Sequence, residues 1–491
     1  MAISEAAQIR QQLSHPILDG DGHWLEPMPI WMEFLRDVGG PKIVDRYMAV
    51  RRSDSWRTAT EEERMAKRLR RMQPWIGNAA GAPSDTLTRA TAMLPALMRE
   101  RMGELGIDFS IIYPTNGLGA ANIADDEVRR AWIRAYNLMT AEMYAAHKEV
   151  FAPAAIIPTT TVAEAIEETE YCVRELGYKV IMVRTALARP IRGFTDGSFH
   201  TTFEDASRKM PYYIDTLGLD NDENWDPFWA KCVELKLAVT THGGAHEWPD
   251  RKCVNNFVFN HTGHFAQANH AATKGMFLGG VTRRFPTLQC AFLEGGVGYA
   301  VNLLHDLVGH YEKLNLEAIE ANLCPQRLDG PRLREYVAQF GEERMKARIE
   351  EIMGSINTTG TMDEAVDDFA LAGIDSKQEL VRLFTTTFYF GCEADDPVTA
   401  WAFDPRMGAR LKALFSSDIG HFDVPDITEV VPEAYEMVEH GLITMDDFRD
   451  FTFTNAVRLH GLGNPDFFAG TTIERAAADT LAAEREPVSA G

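Results

Sequence analysis

Asp21 and His23 stand two residues apart in the run Ile17-Leu-Asp-Gly-Asp-Gly-His-Trp-Leu-Glu26-Pro27, with Asp19 two residues earlier and glycines between them. Side chains two apart on an extended strand point to one face, so two carboxylates and an imidazole would converge there. The glycines leave the backbone free to approach a ligand. Hard oxygen and borderline nitrogen donors of this kind suit zinc, manganese or iron. Asp-Gly pairs are also ordinary turn formers, so the run alone reads equally well as a turn.

Three more apolar runs end in residues able to bind a metal or move a proton. Leu237-Ala-Val-Thr-Thr runs into His242 and two glycines, and Cys290-Ala-Phe-Leu into Glu294 and two glycines. Leu414-Phe-Ser-Ser runs into Asp418, with His421 three residues on. A lone histidine closing an apolar run is usually structural. Four such endings at one level argue for a functional site, with metal ligands and a proton-transferring group in one place. Glu294 can act as general acid or base if burial raises its pKa, or it can cap the glycine turn that follows.

The elements that would carry these residues are short continuous apolar runs separated by helix-like segments. They are Ile17–Asp21, Asp108–Pro114, Ala154–Pro158, Lys179–Arg184, Leu237–His242, Leu288–Glu294, Leu383–Phe390 and Leu411–Asp418. Continuous rather than alternating apolar character indicates strands buried on both faces, as in a parallel sheet. Between them, Asp126–Glu149, Val162–Leu176 and Pro227–Leu235 carry apolar residues at helical spacing, and Gly106 and Gly177 stand where helix stops are expected. Eight strands separated by helices predict an α/β fold, a (β/α)8 TIM barrel, in which chemistry sits at the carboxyl ends of the strands. Long insertions follow strands one, four and six (28–104, 186–225 and 300–380), and helices follow the last strand. The whole is read as one barrel domain with a loose tail after about Gly470. The basic stretch Met65–Met72 reads as a solvated helix face pairing with Glu61–Glu63, less readily as an anion site.

The chain has 491 residues, 49 basic against 72 acidic, a net charge of −23. That surface argues against nucleic acid or an anionic membrane as partner and suits a small-molecule substrate. Six scattered cysteines without a Cys-x-x-Cys pair read as reduced thiols. With no export-like amino terminus and no run of 18 apolar residues, the expected location is the cytoplasm.

The ordered motifs resemble the amidohydrolase superfamily, in the branch that includes aminocarboxymuconate semialdehyde decarboxylase, resorcylate decarboxylase and related hydrolases. The matching segments are Asp21-Gly-His23-x-x-Glu26-Pro27, Glu104–Pro114, Ala135-Tyr-Asn137 and Asp226-Pro-Phe-Trp229 leading to His242. Arg284-Phe-Pro286 leading to Glu294, Ser417-Asp418-Ile-Gly-His421 and Phe453-Thr-Asn455-Ala complete the set. The resemblance spans roughly 17–462 and is weakest in the insertions. It implies one divalent metal, zinc or manganese, held by Asp21, His23, His242 and Asp418. Asp21 is a departure, because the commoner form has His-x-His. Strand four ends in Val183-Arg184, with no lysine at its tip to bridge a second metal. Glu294 is a second departure, standing where much of the family has histidine.

The resemblance implies a Lewis-acid mechanism. Asp418 both ligates and takes a proton, Glu294 or His264 transfers one, and Arg184 holds an anionic group, unless Arg184 is a surface ion pair. The segment Gly243–Phe265, with His246 and Trp248, would form one wall of the pocket or simply a packed loop. His421 is expected to support Asp418 rather than bind metal. The expected activity is hydrolysis of a small cyclic, aromatic or carboxylated substrate, with non-oxidative decarboxylation as the alternative. A catalytically inert binding barrel would require an incomplete ligand set. A homodimer is expected from the resemblance alone.

Overall fold

The computed structural model describes residues 3–53, 60–63, 65, 83–123, 125–190, 212–219, 221–244, 248, 257–356 and 367–485. Eight strands form one sheet: β1 Leu18–Trp24, β2 Phe109–Pro114, β3 Phe151–Ile156, β4 Val180–Val183, β5 Val239–Thr241, β6 Cys290–Phe292, β7 Phe388–Glu393 and β8 Ala413–Ser416. Each pairs in parallel with the next. β8 returns to β1, where the Asp418 N–H donates to the Asp21 carbonyl at 3.0 Å and the His23 N–H to that of Ile419 at 2.9 Å. A side chain on Gly20 would sit 3.1 Å from the Phe415 carbonyl oxygen across this seam, so the close approach favours glycine. The fold is a (β/α)8 barrel, as the continuous apolar runs require, and all seven residues of β1 are buried.

The seventh strand differs from its expected position. The sequence pattern placed it at Leu383–Phe390, yet a helix runs from Lys377 to Thr387 and passes straight into β7 at Phe388. Leu380, Leu383, Phe384 and Thr387 are the buried face of that helix, at helical spacing.

The helices take their ends from local chemistry. Asp125 accepts a hydrogen bond from the Val128 N–H at the start of Asp126–Tyr144, and Thr161 from the Glu164 N–H at the start of Val162–Arg174. Gly106 ends the helix Pro95–Leu105 in a left-handed turn (φ 72°), and a side chain there would lie 2.7 Å from the Ala6 carbonyl oxygen. Asn137 ties its helix to β3, with Oδ1 accepting from the Ile156 N–H and Nδ2 donating to the Ile156 carbonyl, both at 2.9 Å. Arg284 and Asp226 form a two-pronged ion pair at 2.8 Å. These motif residues therefore hold the barrel's outer layer together.

Each insertion has structure of its own. The first contains the helix Met28–Ser53, broken at Gly40 (φ 73°) ahead of Pro41, and then Thr86–Met93. The second contains an antiparallel hairpin, Leu187–Pro190 with Tyr212–Asp215. The third is helical. Apart from Met65, the basic stretch lies outside the described residues. The tail packs more firmly than expected: the helix Glu474–Arg485 buries Ala477 and Leu481, and Leu481 fills the space that a side chain on Gly461 would need. The five described cysteines are free, and Cys253 lies outside the described residues.

His460, on the helix Asn455–Gly461, is buried and stacks on Phe467 with ring centroids 4.6 Å apart. Burial holds its pKa down at about 3. Between that value and the ordinary 6.5 the unfolded chain binds the extra proton, so this contribution is complete above about pH 6.5 and is lost as pH falls toward 3. Urea midpoints of His460→Phe measured at pH 7, 5 and 4 are expected to fall less than those of the native chain. Parallel curves would count against it.

Candidate active site

Asp21 and His23 reach the carboxyl end of β1 across an irregularity. Asp19 pairs with Ser110 and Gly22 with Ile112, so three steps on β1 match two on β2. The two-residue alternation therefore holds for Asp21 and His23 but not for Asp19. The Asp19 carboxylate accepts from Ser110 Oγ (2.6 Å), Ser417 Oγ (2.8 Å), the Ser417 N–H (3.0 Å) and the Asp21 N–H (3.1 Å). It ties β1, β2 and β8 together beneath the site. A side chain on Gly22 would lie 2.5 Å from Asp19 Oδ2 and 2.7 Å from Ser110 Oγ, which is why glycine stands there. Glu26 is also structural, accepting from the N–H groups of Thr115, Asn116 and Gly117 at 2.9–3.1 Å.

Above that floor the strand ends converge. His23 Nε2 lies 3.4 Å from Asp21 Oδ1, 3.4 Å from Asp418 Oδ1 and 3.3 Å from His242 Nε2. His242 Nε2 lies 3.1 Å from Glu294 Oε2, and His421 Nδ1 lies 2.6 Å from Asp418 Oδ1. Asp21, His23, His242, Glu294 and Asp418 are buried, and His421 is half-buried with its ring 3.9 Å from that of His23. The donors fall into two groups that share His23: Asp21, His23 and His242, and His23, Glu294, Asp418 and His421, each within 4.8 Å.

The electrostatics fit a cation. His23 Nδ1 lies 2.9 Å from the Pro114 carbonyl oxygen, which can only accept, so the proton is on Nδ1 and the Nε2 lone pair faces the cluster. Burial lowers the His23 pKa to about 4 and drives that of His242 well below the usual value, keeping both imidazoles neutral. Burial pushes the carboxyl groups of Asp21, Glu294 and Asp418 far up, and Glu294 and Asp418 are raised further by neighbouring carboxylates. Both Asp21 oxygens are buried without a hydrogen-bond donor. The His23 lone pair and the donor-less Asp21 carboxylate face one space that a cation would suit.

Two of these carboxylates sit on unusual backbone. Glu294 (φ 57°) and Asp418 (φ 49°) are two of the four non-glycine residues with positive φ among those described. Such conformations persist where the surroundings hold them, and they cluster at functional sites. Asn269 Nδ2 donates to the Leu293 carbonyl at 2.8 Å, and a side chain on Gly295 would lie 2.4 Å from that nitrogen, so this turn is fixed in place.

The remaining expected site residues divide. His264 opens the helix His264–Leu278, buried beside the cluster; a side chain on Gly244 would sit 1.7 Å from its Nδ1, so Gly244 makes room for it. Arg184 is half-buried, its stem 3.6 Å from where a side chain on Gly243 would begin, next to His242. Trp248 is half-buried with neighbours outside the described residues, and His246 lies outside them. Sequence reasoning missed Glu393, the last residue of β7, whose pKa burial and nearby acids raise to about 7. Correct placement of β7 would have exposed it as one more strand-end carboxylate.

The sequence profile of the amidohydrolase family (Amidohydro_2) matches residues 85–345, more than half of the chain. The chain belongs to the amidohydrolase family. The matched span contains His242 and Glu294, while Asp21, His23 and Asp418 lie on either side of it. Two solved structures share the fold. An amidohydrolase from Mycobacterium avium subsp. paratuberculosis K-10 is 16% identical with a TM-score of 0.50, covering 91% of this chain and 100% of that one. A dihydroxybenzoic acid decarboxylase from Polaromonas sp. JS666, with bound manganese and the inhibitor 2-nitroresorcinol, is 16% identical with a TM-score of 0.50, covering 93% and 99%. Among the described residues of this family member, no helix is long and apolar enough to cross a membrane.

Proposed function

We propose that this amidohydrolase is a metal-dependent hydrolase of a small cyclic, aromatic or carboxylated substrate, using one divalent cation, zinc or manganese, at Asp21, His23, His242 and Asp418. The observation that carries the proposal is the Asp21 carboxylate, buried without a donor 3.4 Å from a histidine nitrogen whose lone pair faces it. A divalent ion held there supplies Lewis acidity. His23 is locked in the ligating tautomer by the Pro114 carbonyl. Asp418 lies against His421 and can hold a proton at Oδ1; Glu294, raised by burial and by Asp21, can hold one at Oε2 and deliver it to a leaving group. His264, behind Gly244, is the second proton carrier. Arg184, beside Gly243, provides the cationic end of the pocket for an anionic substituent. Glu294, standing where much of the family has histidine, supports hydrolysis over decarboxylation.

The second reading is a non-oxidative carboxy-lyase. It is favoured by Asp21, an acid where the commoner family form has histidine, and by the likeness to the manganese-containing decarboxylase. Metal-loaded protein offered aromatic carboxylic acids and their amides in H₂¹⁸O separates the two. Hydrolysis puts ¹⁸O into the product, whereas release of CO₂ without ¹⁸O incorporation would overturn the first reading in favour of the second.

A further inference from the structure

A cavity of about 200 Å³ opens at the end of the barrel opposite the catalytic cluster. Phe109 and Phe151, the first residues of β2 and β3, line it, with Lys179 just ahead of β4. Pro114, whose carbonyl holds His23, ends the strand that Phe109 begins. The cavity and the cluster therefore lie a strand's length apart, roughly 17 Å. Tyr144, at the end of the helix Asp126–Tyr144, and Phe467, beyond the helix Asn455–Gly461, complete an aromatic lining. All four rings belong to buried residues, and Tyr144 meets Phe151 edge-on with centroids 5.6 Å apart. Close-packed interiors leave few voids larger than a water molecule, so a space of this size is unusual. An apolar space of about 150 Å³ takes up one benzene ring. This one has room for a single ring with a small substituent.

Charge selects the substituent. Lys148 and Lys179 line the cavity, and Glu149 is the one carboxylate on the lining beside them. Glu149 is already taken by Arg99 at 2.5 Å. Lys148 is exposed, and its ammonium has no hydrogen bond or ion pair among the described residues. Lys179 Nζ donates to the carbonyls of Phe467 (2.6 Å) and Asp466 (3.3 Å), which leaves one of its three donors over. Burial lowers the pKa of Lys179 and the Lys148 ammonium adds to that, against the pull of Asp466, so the two cations are near neighbours. A net charge of −23 makes most of the surface repel an anion, whereas this lining offers two cations with donors to spare. A carboxylate on the ring would meet both.

We infer that this cavity is a second small-molecule site, for a one-ring aromatic carboxylate whose ring lies among Phe109, Tyr144, Phe151 and Phe467 and whose carboxylate meets Lys148 and Lys179. It stands apart from the reaction proposed for the catalytic end and does not depend on it. Calorimetric titration of the full-length protein with benzoate tests the site. The native chain is expected to bind benzoate, Lys148→Gln to bind it about fivefold more weakly, and Lys148→Arg to retain it. Ala469→Trp, which fills the cavity from an exposed lining position, is expected to abolish this binding. Circular dichroism and melting temperature should match the native chain in all three variants. If Ala469→Trp fails to fold, the Lys148 pair carries the comparison. Benzoate held at the catalytic centre is blind to every one of these substitutions. An isotherm that none of them alters, or a native chain that binds no benzoate, would overturn the inference.

Discussion

Replacing Asp418 with asparagine is expected to cost roughly a thousandfold or more in turnover while leaving the fold intact. The reasoning combines backbone and charge. Asp418 holds φ at 49°, a conformation that asparagine tolerates nearly as well as aspartate. The substitution keeps size and backbone but removes the negative charge 3.4 Å from His23 Nε2. The metal-free protein should melt no lower than the native chain, because an uncompensated buried carboxylate is costly in itself. Added manganese or zinc should raise the native melting temperature and leave that of Asp418→Asn almost unmoved. Elemental analysis, melting curves with and without metal, and turnover together check this. Full activity in Asp418→Asn would show that Asp418 is structural.

The largest stability effect is expected at a residue that touches no ligand. Asp19→Ala removes an acceptor that satisfies two hydroxyls and two backbone N–H groups at once. Leaving such donors buried and unpaired costs about 3–5 kcal/mol. Because one of those N–H groups belongs to Ser417 and another to Asp21, the loss should also weaken metal binding, by about 10–100-fold. Urea unfolding read alongside a metal titration checks both. An effect on stability without any on metal affinity would separate the floor from the site.

The barrel and the strand-end residues that cluster were largely legible in the sequence because strands buried on both faces read as continuous apolar runs. Continuous apolar runs marked seven of the eight in place, and four of them ended in the residues that meet in space. What stayed hidden was set by tertiary context. The β1 irregularity depends on the partner strand, so the sequence leaves Asp19 and Glu26 in supporting roles without showing the hydrogen bonds by which Asp19 supports the site. Leu383–Phe390 satisfied both a strand and a helix pattern, and only packing shows that the helix continues to Thr387. Ending the strand at Phe390, three residues early, concealed Glu393. The left-handed backbone at Glu294 and Asp418 has no signature in composition, although Gly295 and Gly296 hint at a tight turn. The third insertion was visible in the sequence, but the lack of any buried residue from Val308 through Ile356 was not, since amphipathic spacing looks the same whether or not a facing surface is present.

The seam between β1 and β8 joins residues 21 and 418, nearly the full length of the chain apart. A ribosome must therefore deliver almost the whole polypeptide before the first and last strands can meet. Until then Asp21 and His23 are a solvated pair with neither the Ser417 hydrogen bonds beneath them nor Asp418 opposite. The clustered site thus completes late in synthesis, and a truncated product ending before the eighth strand would lack both the closed wall and Asp418 with His421. Were a cation held by Asp21, His23 and Asp418 as proposed, it would bridge the two ends and make opening of this seam, the step a protease or a denaturant would exploit, slower and more costly.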